Sequence, residues 1–309
     1  MKVLLKVVVP ALCCMIMCTT AASTAHSIVT EELKKQFDFA EYLFNETDYY
    51  RAISEYKRFI FLYPFHPLAE KSRFKICECY YKAKRWHEAV EALNRFIADY
   101  PASPLKEDAF YLKGLSEKEL KFYKEAISSL EVASLSLSDG LRNRSFFQIA
   151  LVYVDLEDWK AARTYFSKIS DTSPLYPSAW TFSSELENVD MLPRKSPGLA
   201  GTLAAVLPGA GHLYTERPRD ALVAFLLNGA FIWAAIELFK DDNYVAGGVV
   251  TFFELGWYTG NIYSAVGSAH KYNRRVKNEF IQNIKERTSL TYYYDRDDSR
   301  HYVALSVSF

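Results

Sequence analysis

The residues best placed to do chemistry are three polar side chains set among apolar ones: His212, Asn228 and Glu254. An imidazole, an amide and a carboxyl in such surroundings can hold a polar ligand or carry a proton, because each is costly to leave unpaired away from water. Glu254 is the titratable member, with Asn228 or His212 as its expected partner. Asn228 lies 12 residues before Lys240 and Glu254 lies 11 after Asn243. An antiparallel helix pair joined at Lys240–Asn243 therefore brings the two to similar depth. The same placement serves equally as a hydrogen bond between helices, and this structural role is the favoured one. Other chemical patterns are missing. The chain has no Gly-x-Ser-x-Gly, no His-Glu-x-x-His and no phosphate-binding glycine loop. Its six histidines are scattered, and Cys77 and Cys79, two apart on a helix, point to nearly opposite faces and share neither a bridge nor a metal. The expectation is a protein that is not an enzyme and needs no cofactor or metal.

The elements that must position these residues form an apolar block, 197–270. Ala221–Phe239 and Tyr244–Val266 are 19 and 23 residues long. At about 1.5 Å per residue the first reaches about 28 Å, close to the roughly 30 Å of a bilayer core, so both are read as transmembrane helices. Residues 197–215 carry no charge but are broken at Pro208-Gly209-Ala210-Gly211, and read as a weak or re-entrant span. Basic flanks after 215 and after 270, with an acidic loop between the long runs, favour three crossings over two. Gly256, Gly260 and Ser264 repeat every four residues, a spacing that allows close helix packing within the domain or between copies.

Before this block the chain repeats itself. Ala52, Ala89, Ala126 and Ala162 step by 37, 37 and 36 residues, and twelve residues before each stands Ala40, Cys77, Gly114 or Ala150. Tyr56, Leu93, Leu130 and Phe166 follow one turn after the alanines, and Pro64, Pro101 and Pro174 close three of the units. Small residues let two helices approach, the bulky ones fill the groove, and proline stops the second helix. Such pairs bury their faces only by stacking. In the third unit Ser138 stands where proline is expected, which predicts a longer or frayed connection. An aromatic recurs on each first helix, at Phe37, Phe74, Tyr111 and Phe147. These are candidates for a concave wall that grips a partner protein, or for packing between repeats. Neighbouring charges alternate in sign (Lys34, Glu41, Lys71, Glu78, Asp108, Arg144) and form no single-sign clamp.

These small residues and prolines resemble the tetratricopeptide repeat. Leu62-Tyr63-Pro64-x-His66-Pro67 and Asp99-Tyr100-Pro101-x-Ser103-Pro104 resemble its long form in bacterial envelope proteins, such as the lipoprotein subunit of the outer-membrane β-barrel assembly machine. Pro208-Gly209-Ala210-Gly211-His212-Leu213-Tyr214 is similar to the Pro-Gly-x-Gly-Gln-x-Tyr motif of small bacterial membrane domains, with His212 in place of Gln. That likeness implies a fold and no activity.

Lys2, Lys6 and the apolar Val7–Met17 form a secretory signal, with cleavage expected after Ala25. The net charge is zero, so nucleic acid is not an expected partner. The expected fold is all-α: a signal peptide (1–25), a four-unit solenoid with a capping helix (26–188), a linker (189–196), a membrane domain (197–270), and a tail of basic helix and β-hairpin (271–309). The expected role is a protein-binding scaffold anchored in the bilayer, self-associating through its membrane helices. It would lie in the inner membrane with its arm in the periplasm, or as the alternatives form part of an outer-membrane assembly machine or be a small membrane enzyme or transporter with Glu254 as its polar centre.

Overall fold

The computed structural model describes residues 31–287, 290–294 and 301–305. The expected signal segment and the expected turn of the terminal hairpin lie outside the described residues. The chain divides into two compact units at Trp180/Thr181, inside the helix expected to cap the solenoid.

The first unit is a run of antiparallel helix pairs. They are α1 (31–45) with α2 (Tyr49–Leu62), α3 (Pro67–Lys82) with α4 (Trp86–Asp99), α5 (Lys106–Glu119) with α6 (Tyr123–Ala133), and α7 (Asp139–Asp155) with α8 (Trp159–Phe166). The repeated small residues sit where the helices of a pair meet: Ala40, Cys77 and Ala150 are buried, and so are all four second-helix alanines. A Cβ added at Gly114 would stand 2.6 Å from Leu130 Cγ, so glycine there lets the bulky residue of α6 seat fully. Tyr56, Leu93, Leu130 and Phe166 fill the core.

Each pair turns through one left-handed residue: Thr47 (φ 61°), Lys84 (57°), Lys121 (62°) and Glu157 (62°). None is glycine, so each carries a cost of roughly 1 kcal/mol. The compensation is a closed helix end. The next backbone N–H, of Asp48, Arg85, Phe122 or Asp158, donates to the carbonyl five residues back, satisfying a carbonyl the helix end would leave orphaned. Asp48 and Asp158 then cap the second helix by accepting from Arg51 N and Ala161 N.

Two expectations are corrected here. Pro174 does not end α8, which stops at Phe166. The connection after the third unit is no longer than its neighbours. Instead α6 is shortened, to 11 residues against 14 in α2 and α4, and Ser138 takes over as N-cap of α7.

The helix α9 (Tyr176–Leu186) and a 3-10 turn (Glu187–Met191) lead into α10 (Pro197–Val206), α11 (Ala210–Tyr214), α12 (Pro218–Lys240) and α13 (Tyr244–Arg287). α10 and α12 both pack on α13, and α11 touches all three. Gly209 makes the α10–α11 corner at φ 89°, where a side chain would collide with the Ala221 carbonyl. At Gly211 a Cβ would strike the Ala200 carbonyl and stand 2.8 Å from Ala265 Cβ. The two motif glycines therefore seat α11 against its neighbours. α13 runs unbroken for 44 residues, through the point at 270 where a separate basic helix was expected, because no helix breaker stands there. Among the described residues one helix, Pro218–Lys240, is both long and apolar enough to cross a membrane, with mean hydropathy 2.0. Glu254, Asn261 and four glycines dilute the first half of α13. Strands β1 (Leu290–Tyr294) and β2 (His301–Leu305) pair antiparallel, Leu290 opposite Leu305.

Candidate functional site

The four expected wall aromatics are spent on packing, in whole or in part. Each stands three residues before a buried small residue (37/40, 74/77, 111/114, 147/150), and residues three apart share a helix face. That face meets the second helix. Phe37 is buried edge-on to Phe59 at 5.6 Å, and Phe147 is buried against Phe166 at 5.3 Å. Neither can line an open wall. Phe74, half-buried, meets Phe96 at 5.5 Å, and half-buried Tyr111 lies under the Arg144 guanidinium at 5.3 Å.

The alternating charges join neighbouring first helices. Lys75 Nζ, buried on α3, lies 2.9 Å from Glu78 and 3.8 Å from Glu41 of α1, with the Phe44 ring at 4.4 Å. Tyr56 donates to the same Glu41 at 2.5 Å. Burial and that carboxylate push the Tyr56 phenol far above its ordinary range. Lys71 of α3 covers the Phe37 ring at 5.4 Å. Burial raises the Asp108 carboxyl, with Arg144 of α7 pulling the other way. Opposite charges on successive first helices thus act as cross-links of the stack. The stacked pair Phe39 and Tyr42, exposed on α1 with centroids 6.4 Å apart, is an open aromatic surface that the repeat register did not single out.

In the second unit the three polar candidates are all buried, but they pair differently from the expectation. His212 Nε2 donates to Asn261 Oδ1 at 3.0 Å. Asn228 Nδ2 turns back to the Ala224 carbonyl of its own helix at 2.5 Å. Neither Glu254 oxygen has a partner among the described residues, nor do Asn228 Oδ1, His212 Nδ1 and Asn261 Nδ2. The overlooked residue is Asn261, buried on α13. The signal was present: Gly247, Glu254, Asn261 and Ser268 are spaced by seven, and all four are buried on α13. A seven-residue period keeps one stripe facing a partner helix. The facing stripe of α12 is Ala221, Ala224, Asn228 and Ala235. Ser268 accepts from Arg217 Nη1 at 2.8 Å, closing the end of the seam.

Gly256, Gly260 and Ser264 are not the packing stripe. They lie on the exposed side of α13, and a Cβ at either glycine meets nothing within 4 Å. They line a cleft of about 1000 Å³ that also reaches His212, Arg217 and Asn261. The three-crossing expectation fails as well. It requires Lys195 and Glu216 on opposite faces of a bilayer roughly 30 Å thick, yet Lys195 Nζ lies 3.4 Å from Glu216. Asn273 clasps the Lys195 backbone through both its amide atoms, at 2.8 and 2.9 Å, and Arg275 approaches Glu216 at 3.9 Å. α10 is 10 residues and about 15 Å long, and α11 follows it after a sharp corner at Gly209. The start of α10, the end of α11 and the base of α13 meet in one polar collar.

Paired helices with recurring small contacts and stacked first helices define a tetratricopeptide-type helical-repeat protein. The model of the YfiO family, described as outer membrane lipoprotein, matches residues 31–188, just over half of the chain, and the chain belongs to that family. No curated protein matches it. Among solved structures it is similar to a tetratricopeptide repeat protein from Parabacteroides merdae ATCC 43184, with 14% identity over 82% of this chain and 98% of that one and a TM-score of 0.43. It is also similar to MamA from Desulfovibrio magneticus RS-1, with 21% identity over 44% and 73% and a TM-score of 0.39. The apo form of RapI matches at 16% identity over 80% and 65%, with a TM-score of 0.45.

Proposed function

We propose that this protein is a non-enzymatic scaffold of the bacterial envelope, whose repeat arm binds a partner protein and whose second unit is embedded in the bilayer. The observation that carries the reading is the reversed amphipathicity of that unit. The apolar window of α12 is only 17% buried, whereas the core helix of a water-soluble domain would be mostly covered. Leu222, Phe225, Leu226 and Trp233 on α12, with Phe252, Phe253 and Leu255 on α13, face outward, while Asn228, Glu254, Asn261 and His212 face inward. Polar groups turned inward and large apolar ones outward is the arrangement a lipid solvent demands.

In this reading α12 and α13 cross the inner membrane, α10 and α11 form a re-entrant pair, and the arm and the basic end of α13 share the periplasmic face. Positive-inside bias opposes that end, and Glu216 and Glu279 offset it by pairing Arg275. An impermeant maleimide tests the topology. Arg275→Cys is expected to react in intact cells and Asp242→Cys only after lysis. The reverse pattern rules out two crossings with an external arm. Cross-linking from Tyr42 of the arm, followed by mass spectrometry, is expected to capture one recurrent envelope protein.

A second reading has one observation in its favour, the family match. As part of an outer-membrane protein assembly machine, the chain would fractionate with the outer membrane and its cross-links would fall on a β-barrel protein.

A further inference from the structure

The positions that Phe39 and Tyr42 hold on α1 recur on every first helix, one before and two after its small residue. They are Ile76 and Cys79 on α3, Lys113 and Ser116 on α5, and Ile149 and Val152 on α7. Five of these six are buried and Lys113 is half-buried. What covers them is the second helix of the preceding pair. Ile76 and Cys79 share a buried cluster with Ile53 and Tyr56 of α2, and Ile149 and Val152 share one with Ala126 and Leu130 of α6. Among the described residues no pair precedes α1, so the same face stands open there, with Phe39 44% and Tyr42 53% exposed. A solenoid end that meets water carries a polar outer face. This one carries two stacked aromatics, so the stacking position before α1 calls for an occupant.

The charges beside the rings say which. Lys35, Phe39, Tyr42 and Glu46 are all exposed and are spaced by four, three and four, which keeps them on one stripe of α1. The stripe reads cation, ring, ring, anion, and reversed it is its own complement. Laid antiparallel on a second copy, about an axis between residues 39 and 42, it sets Phe39 beside Tyr42 and Lys35 beside Glu46 of that copy. Two-fold symmetry makes each contact twice. A parallel pairing would instead oppose Lys35 to Lys35 and Glu46 to Glu46. Glu31 already pairs Lys35 at 2.9 Å, so in the antiparallel pair the ammonium lies between two carboxylates. Asp38, also exposed, is turned about 100° from Phe39 on the helix and sits at the flank, where solvent screens it.

We propose that the open end of the arm is a self-association surface, on which two copies of this chain stack α1 against antiparallel α1, ring on ring. The inference rests on the binding role of the arm and names the protein met at Tyr42 as a second copy. One helix pair is a small contact, below the roughly 1,000 Å² that a stable interface clears. On the bilayer reading both copies are held in one membrane, which raises their effective concentration.

The test uses the full chain in the membranes of producing cells. Two differently tagged copies are made together, one with Lys35→Cys and one with Glu46→Cys, and treated with a short bismaleimide. The expected result is a mixed cross-link at least about fivefold above the 35–35 and 46–46 products, whose helix positions the antiparallel register sets about 16 Å apart. Adding Phe39→Ser and Tyr42→Ser to both copies is expected to bring the mixed product down to the level of the like pairs, with helical content unchanged. Charge reversal gives a second reading without cysteines. Lys35→Glu in both copies is expected to lower co-capture of one tag with the other about five- to tenfold, the worth of two exposed ion pairs turned repulsive. Adding Glu46→Lys is expected to restore it.

Equal yields from mixed and like pairs, or a double charge variant no better than the single one, overturns the proposal. So does a cross-link from Tyr42 that falls on residues 26–30 of the same chain, or only on a different protein. In that last case the arm still binds a partner and the inference alone fails. Capture of nothing at Tyr42 would count against the binding role of the arm as well.

Discussion

The two units solve the same packing problem with opposite materials. The arm buries large apolar side chains, Tyr56, Phe59, Leu93 and Phe147 among them, and joins one repeat to the next through charges such as Lys75 with Glu41. The second unit buries alanine, glycine, serine, asparagine and glutamate in its seams and turns its phenylalanines, leucines and tryptophans outward. In water the first arrangement draws its stability from apolar burial. The second gains little that way. Its helices are held by close backbone approach at Gly201 and Gly211, which touch Val266 and Ala265, and by a few hydrogen bonds between helices, the forces that remain when the solvent is itself apolar. On the proposed function, one chain holds two units built for two solvents.

The sharpest way to break this contrast is to remove a large side chain from each. Phe59→Ala is expected to destabilise the arm by about 3–5 kcal/mol, read as a shifted urea midpoint by circular dichroism. Phe252→Ala is expected to change the folding of the second unit by less than about 0.5 kcal/mol, because Phe252 touches solvent and not the core. A comparable loss from both would mean that Phe252 is a core residue after all. Glycines give the converse test. Gly211→Val forces a collision with the Ala200 carbonyl and is expected to cost about 1–3 kcal/mol through overpacking, while Gly260→Ala meets nothing and is expected to be silent in thermal melts of the detergent-solubilised chain. Lys75→Met leaves Glu41 and Glu78 facing each other without their cation, for an expected loss of about 1–3 kcal/mol in the arm. Adding Glu78→Gln should recover part of it.

The smallest effect concerns the cysteines. Burial, with the Glu78 carboxylate adding to it, pushes the Cys77 thiol up to about 12, and Cys79 is raised further by the same causes. A raised thiol pKa keeps both in the neutral form until the pH approaches 12, and the thiolate is the reactive species. Iodoacetamide at pH 8 is expected to leave both unmodified in the folded chain and to alkylate both in denaturant.

How much of this was readable in advance differs between the units for a physical reason. The arm's register was legible because Ala52, Ala89, Ala126 and Ala162 each mark a contact that admits no larger side chain. The left-handed turn residues were not, because Thr47, Lys84, Lys121 and Glu157 share no side-chain type and the conformation is held by backbone hydrogen bonds. The concave-wall reading of Phe37 and Phe147 failed because an aromatic on a first helix can face either way. Only its three-residue spacing from the small position decides which way it faces. In the second unit the inward placement of Asn228 and Glu254 was legible from the cost of leaving them in lipid. Their partners were not. Counting from the loop set Asn228 opposite Glu254, whereas the seven-residue stripe brings Asn261, not Glu254, to His212. The exposed Gly256–Gly260 face misled because small residues mark a close approach only when something stands opposite them.

The central claim is that the second unit is solvated by lipid. Alkaline carbonate extraction of membranes from cells producing the full chain, or a chain ended after Ser196, tests it most directly. The account predicts that the full chain stays with the membrane pellet and is released only by detergent, while the shortened chain is recovered in the soluble fraction as a folded helical arm. Release of the full chain into the carbonate supernatant would contradict it.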